Sequence, residues 1–205
     1  MSELVFYTNP MSRGRIARWA LEEIGQPYET VVLDFGTTMK APDYLAVNPM
    51  GKVPALRHGD RIVTEAAAIC AYLAEAFPEP GLAPRPEELA DYYRWLFFAA
   101  GPLEAAITNR SLGVEVPADQ KGMVGYGSYE EVLDALSLAV KAHPYIAGDR
   151  FTMADVYVGS HIGFGLRFGT IEDRPEFRAY LARVSDRPAA RRADEKDDAL
   201  LPKGA

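Results

Sequence analysis

Three segments at the start of the chain constrain its fold more than anything that follows. ELVFY is a strand candidate, residues Arg13 to Ile24 read as a helix, and YETVVLDF is a second strand. Ile16, Trp19, Ala20 and Ile24 share one stripe of the helix, and Gly25 with Pro27 stops it. Two strands joined by one such helix pair in parallel, with a right-handed crossover. After an irregular stretch, GTTMKAPDYLAVNPMGK, the runs VPALR and RIVT flank HGD and read as an antiparallel hairpin turning at Gly59-Asp60. A helix from Glu65 to Phe77 follows, with Ile69, Cys70, Leu73 and Phe77 at helical spacing. The order is βαβ, then ββα.

PEPGLAPRPEE suits neither helix nor strand and reads as a linker. Beyond it no strand alternation occurs. Leu89 to Ala106 is helical and rich in aromatics, Val132, Leu133, Leu136, Ala139 and Val140 form an apolar face, and Phe177, Tyr180, Leu181 and Val184 form another. Thr152-Met-Ala-Asp155 has the form of a capping box opening a buried helix. The expected fold class is therefore an α/β domain (βαβ-ββα) over residues 1–78, a linker over 79–88, and an all-α domain over 89–205. The tail RRADEKDDALLPKGA is polar enough to be expected partly disordered.

Charge and cysteine usage exclude several classes. A net charge of −7 argues against general affinity for nucleic acid or an anionic membrane, so an anionic ligand needs locally placed donors. With Cys70 as its one cysteine, the chain forms no internal disulfide and no CxxC pair. No basic segment followed by an apolar run opens the chain, and no apolar run approaches the ~18 residues of a membrane span; the expected location is cytoplasmic. His58, His143 and His161 lack metal-ligand spacing, and no metal is expected.

The first helix carries its charges backwards. Arg13, Arg15 and Arg18 crowd its positive N-terminal end while Glu22 and Glu23 sit at the other, at a cost of about 0.3–1 kcal/mol per residue. One explanation is a bound anion beside Ser12; for Arg18 the alternative is a solvated face. Ser12 itself fits two roles, a helix cap or a hydroxyl donor to that anion. Pro54 is either an ordinary strand-initiating proline or the second residue of a cis Val53–Pro54 bond that turns the Val53 backbone toward a bound peptide. Glu65 either complements the dipole of the next helix or meets a ligand ammonium. Tyr93 and Phe97, one helical turn apart, are core residues or the wall of an apolar acceptor site.

FYTNPMSRGRIARWALEEIGQPYE, NPMGKVPAL, VTEAAAICAYLAEAFP, PYIAGDRFTMADVYVG and YLARVSDRPAARRA, in this order and spacing, resemble the cytosolic glutathione S-transferases, bacterial type with a serine at the start of the first helix. The resemblance runs through nearly the whole chain. It implies a thioredoxin-like N-terminal domain that binds glutathione as co-substrate, an all-α C-terminal domain that supplies the electrophile pocket, and a homodimer. By position, Ser12 matches the catalytic serine or cysteine, with Tyr7 the alternative used by other classes. Val53 and Pro54 match the backbone clamp on the cysteinyl residue, and Lys52 is placed for the glycine carboxylate. Glu65 and Ala66 match the pair that holds the γ-glutamyl end, while Met11 and Arg13 flank Ser12. Ala66 departs from the family's serine and removes one side-chain hydrogen bond, about 0.5–1.5 kcal/mol. The implied function is conjugation of the glutathione thiolate to small hydrophobic electrophiles in detoxification. The alternatives are peroxidase, isomerase or dehalogenase chemistry on the same scaffold, or a non-catalytic binding or regulatory protein. A hydroxyl donor, the helix N-terminus and Arg13 or Arg15 are together expected to supply the roughly 2.7 kcal/mol that lowers a thiol pKa by about two units.

Overall fold

The computed structural model describes residues 3–201, which divide into two compact units. The first begins with strand β1 (Leu4–Thr8), helix α1 (Gly14–Ile24) and strand β2 (Glu29–Val32). A short helix α2 (Pro42–Leu45), strands β3 (Ala55–His58) and β4 (Arg61–Thr64), and helix α3 (Ala66–Ala76) follow. The sheet order is β2-β1-β3-β4. β1 and β2 run parallel, and the β1–β3 and β3–β4 pairs are antiparallel. This is the thioredoxin-like arrangement that the opening strand–helix–strand pattern requires.

Strand alternation gives β1 two different faces. Leu4 and Phe6 belong to the main core with Ile16, Leu21, Ile69 and Leu73. Tyr7 turns to the other face, where it packs with Val31, Val47 and Val53 around Leu33, Met39, Tyr44 and Ala55. That second cluster is supplied by the stretch read as irregular. It contains a turn of 3-10 helix at Thr38–Lys40 and then α2, started by Pro42 at the position where a missing N–H costs nothing.

The second unit spans Ala83–Ser185. It holds α4 (Leu89–Phe98), α5 (Glu104–Ser111), α6 (Tyr129–Ala142), α7 (Met153–Phe168) and α8 (Pro175–Ser185). Pro102 has no amide hydrogen to give the helical ladder, and the backbone widens to a π turn over Ala99–Leu103 between α4 and α5. Ser128 caps α6 through the Glu131 amide, and the expected capping box of Thr152 and Asp155 opens α7. The second half of the linker is part of this unit. Arg150 donates to the Ala83 carbonyl at 2.5 Å and grips both carboxylate oxygens of Glu88 at 2.8 and 2.5 Å.

The last helix overturns two expectations. Residues 191–198 are not disordered but lie in α9 (Pro188–Asp198); residues 202–205 of the tail are outside the described residues. Nor does α9 belong to the helical unit. Residues from Asp186 on group with the first unit, and α9 packs on α1. The reason is charge. Arg18 Nε meets Asp197 Oδ1 at 2.6 Å, and Arg15 Nη2 meets Asp198 Oδ1 at 2.6 Å with Asp194 at 3.7 Å. At the other end Arg187 grips Glu23 at 2.6 and 2.7 Å, while Arg192 and Lys196 reach Glu22 at 3.1 and 2.5 Å. Both helices carry charges against their own dipoles, and laid antiparallel each cancels the other. The backward pattern on α1 thus serves α9. Arg18 is no solvated face: it is 2% exposed, and its guanidinium sits 5.1 Å from the Phe6 ring centre.

Candidate active site

One row of the sheet brings the singled-out segments together. Tyr7 pairs with Ala55, and Ala55 pairs with Thr64. Adjacent strands lie about 4.8 Å apart. The β1–α1 loop with Ser12, the Val53–Pro54 peptide entering β3, and Glu65 leaving β4 therefore emerge at the same end of the sheet.

The Ser12 loop is built by Asn9. Its buried side chain donates through Nδ2 to the Leu33 carbonyl at 2.8 Å and accepts the Met11 amide at 2.9 Å. Its carbonyl receives the Ser12 hydroxyl at 2.7 Å and the Ser12 amide at 3.1 Å. Ser12 Oγ in turn accepts the Gly14 amide at 2.9 Å. Ser12 Oγ thus takes the first amide of α1, as the cap reading expects, while its single proton is given to the Asn9 carbonyl rather than left free for an anion. Gly14 has to be glycine, since a Cβ there would lie 2.0 Å from the buried Thr8 Oγ1 and 3.0 Å from Ser12 Oγ.

The amides opening α1 have acceptors at Ser12 Oγ, Ser12 O and Arg13 O. What α1 offers an anion is its dipole rather than spare donors. Met11 and Arg13 are exposed beside the loop. Arg15 is engaged by α9, with its Nε on the Pro10 carbonyl at 2.7 Å. The expectation that Arg15 is an available cation for sulfur is corrected by these contacts.

The second segment is fixed by a matching device. Asn48 Oδ1 accepts the Met50 amide at 3.1 Å and its Nδ2 donates to the Lys52 carbonyl at 2.8 Å. Tyr44 donates its hydroxyl to the same carbonyl at 2.5 Å, and burial pushes the Tyr44 pKa up to about 12, so it stays a donor. Lys40 Nζ bridges the Met50 and Gly51 carbonyls at 3.1 and 2.8 Å. Gly51, at φ 56, brings its Cα so close that an added Cβ would meet the Met39 carbonyl oxygen at 2.7 Å. The Val53–Pro54 bond is cis, and the Lys52 side chain is exposed.

Glu65 is the non-glycine residue with positive φ among the described residues, at φ 65 and ψ 119. Such backbone costs about 1–3 kcal/mol and persists where surroundings enforce it, commonly at binding sites. Glu65 does not cap α3 with its side chain. The amides of Ala66, Ala67 and Ala68 have no acceptor among the described residues, the first bond being Ile69 N–H to the Glu65 carbonyl at 2.9 Å. Here, rather than at α1, spare donors and a helix dipole coincide.

Tyr7 lies half-buried in the second cluster, its ring 5.5 Å from that of Tyr44, and its hydroxyl has no hydrogen-bond partner among the described residues. Tyr93 and Phe97 stack at 6.3 Å in the helical unit. With Leu89 they form an exposed stripe on α4, Phe97 being 66% exposed. Asn9, Lys40, Tyr44 and Asn48 escaped the sequence reading. The signal was present, since Asn-Pro-Met occurs at both loops, as NPMS and NPMG, and asparagine before proline is a turn former.

Comparison with known proteins bears on this geometry. Residues 6–81 match the family described as Glutathione S-transferase, N-terminal domain, and residues 127–188 match Glutathione S-transferase, C-terminal domain. Glutathione S-transferase 3 of Zea mays is 31% identical over 92% of each chain. The crystal structure of a glutathione transferase from Methylococcus capsulatus str. Bath superimposes with a TM-score of 0.79 at 30% identity, covering 96% of this chain and 99% of that one. A theta class glutathione S-transferase from Xanthomonas axonopodis pv. citri, with glutathione bound, gives 0.76 at 28% identity over 94% and 97%. The chain belongs to the glutathione S-transferase family.

Proposed function

We propose that this protein is a serine-type glutathione transferase that joins the glutathione thiolate to small hydrophobic electrophiles, as a detoxifying step in the cytoplasm. The observation that supports the reading is the row Tyr7–Ala55–Thr64, because it brings the Ser12 loop, the Val53–Pro54 peptide and Glu65 to one end of the sheet. Ser12 donates to the sulfur, with Met11 and Arg13 at its border. The Val53 backbone before Pro54 pairs with the cysteinyl residue as an added strand does. Lys52 meets the glycine carboxylate. The spare amides at Ala66 and its neighbours take the γ-glutamyl carboxylate, and Glu65 takes the ammonium. Glutathione bound to the Xanthomonas relative supports this choice of ligand.

Magnitudes decide how Ser12 works. Turning its proton from the Asn9 carbonyl to a thiolate exchanges a neutral hydrogen bond of about 0.5–1.5 kcal/mol for a charged one of about 1.5–3. The gain is about 1–1.5 kcal/mol, one pKa unit, and the α1 dipole adds up to ~2. Ser12→Ala is expected to raise the pKa of the bound thiol by about one unit and to lower kcat/KM about threefold near neutrality, approaching about tenfold at more acid pH, with glutathione affinity little changed. Titration of thiolate absorbance and turnover of an activated chloronitrobenzene measure both.

A second reading rests on the unpartnered Tyr7 hydroxyl, which has no existing bond to surrender. If Ser12→Ala leaves turnover intact and Tyr7→Phe abolishes it, Tyr7 is the donor. Binding to a glutathione column without turnover of any electrophile favours the non-catalytic reading. Tyr93 and Phe97 are assigned to the acceptor face, and the Leu89–Tyr93–Phe97 stripe equally suits a homodimer contact. Phe97→Ala separates the two: a raised KM for the electrophile marks the former, dissociation in sedimentation the latter.

A further inference from the structure

We propose that Arg15 is a positioning residue for the Ser12 loop, held in place by the acidic end of α9. The proposal rests on the reading of Ser12 given above. Arg15 is 12% exposed and its guanidinium faces two ways. Nε donates to the Pro10 carbonyl at 2.7 Å, while Nη2 pairs with Asp198 at 2.6 Å and Nη1 lies 3.7 Å from Asp194. Pro10 sits between Asn9 and the exposed Met11, in the turn whose preceding carbonyl takes the Ser12 proton. The loop is therefore pinned on both sides: Asn9 to Leu33 at the end of β2, Pro10 through Arg15 to α9.

A planar fork is what this geometry needs, because one rigid group spans a backbone carbonyl and a carboxylate in fixed directions. Lysine keeps the charge but has no such fork. The facing charges matter as well. With Asp194 and Asp198 on Arg15, and Asp197 on neighbouring Arg18, the cation is neutralised by α9 before any ligand arrives. Its effect on Ser12 runs through the backbone.

The two modes predict opposite signs. If Arg15 acted on the sulfur as a charge, removing the Asp198 carboxylate would strengthen it and lower the pKa of the bound thiol. If Arg15 acts by position, Asp198→Asn loosens the loop and raises that pKa.

The test compares Asp198→Asn, Arg15→Lys and the double variant, with Arg191→Ala as a control on α9, where Arg191 pairs with the nearby exposed Asp186. Amide hydrogen exchange at residues 11–14 of the free protein is read alongside the pH dependence of turnover with glutathione and an activated chloronitrobenzene. Both single variants are expected to speed exchange about tenfold, to raise the thiol pKa by about half a unit, and to leave KM for glutathione within about twofold. The double variant is expected to match Arg15→Lys, since the two residues act as one tether. A lowered thiol pKa in Asp198→Asn, fully additive effects, or melting-temperature losses with exchange and pH profile unmoved would each overturn the proposal. An inert Ser12→Ala refutes the serine reading instead, and is told apart because exchange still responds to Asp198→Asn.

Discussion

Asp197→Ala strands a cation. Arg18 and Asp197 are 2% and 1% exposed, and the substitution leaves the guanidinium with long hydrogen bonds to Tyr28 Oη at 3.2 Å and Thr30 Oγ1 at 3.3 Å, plus the Phe6 ring. Removing one partner of a buried pair costs about 3–5 kcal/mol. For a chain of this size that lowers Tm by roughly 6–20 °C, at about 2–4 °C per kcal/mol. The pair as a whole is another matter. Arg18 Nη2 and Asp197 Oδ2 are buried with no partner among the described residues. Burial pushes the Asp197 carboxyl above its usual range even though Arg18 and Arg15 pull it down, so desolvation outweighs attraction. A raised acid pKa contributes stability that is full below the ordinary value and fades as pH rises through the folded one, so near neutrality the pair adds little. Arg18→Met with Asp197→Leu is therefore expected to be neutral or stabilising by about 1–4 kcal/mol. Urea unfolding at one fixed protein concentration, comparing midpoints at constant slope, reads both variants. A cost under about 1 kcal/mol for Asp197→Ala would show that water reaches the pair, and would refute the reasoning.

Three further outcomes are expected. Gly14→Ala drives a methyl into Thr8 Oγ1 and costs about 1–3 kcal/mol by thermal unfolding, with loss of turnover because the displaced neighbour is the Ser12 loop. Glu65→Gly relieves about 1–3 kcal/mol of backbone strain against about 1 kcal/mol of added chain entropy, so calorimetry finds stability kept or raised while glutathione affinity falls. Burial raises the Glu88 carboxyl, but the Arg150 fork and the Arg85 amide more than reverse this and hold it below its usual range. That contribution is present above about pH 4.3 and lost as pH falls through the lower folded value, so Arg150→Gln is expected to flatten the acid limb of a stability-against-pH curve.

The first unit was legible because its signals are local. Ile16, Trp19, Ala20 and Ile24 mark one helical face, and Gly59-Asp60 marks one turn, so the strand and helix order followed directly. Candidate residues from three separate segments were legible for the same reason, and the strand register is what joins them. The failures were non-local. Nothing near Arg15 or Arg18 names Asp198 or Asp197 as partners, and a polar α9 looks disordered until its mate is known. Likewise α2 lies in a stretch without periodicity, and its shape follows from Met39 and Tyr44 filling a cluster under Tyr7 and Val53. The state of the Ser12 proton depends on where the Asn9 carbonyl points, which no spacing encodes.

The distance along the chain between Arg18 and Asp197, 179 residues, sets a timetable for synthesis. At about 5–20 residues per second a ribosome delivers α1 roughly 10–35 s before the acidic end of α9 that neutralises it. Once α3 has also been made, the thioredoxin-like unit has its sheet and both core helices but leaves the Arg18 guanidinium without its carboxylate, so this contact closes only after the whole helical unit has been synthesised. A chain cut short before α9 would keep every strand of the sheet but leave the charged seam on α1 open to water.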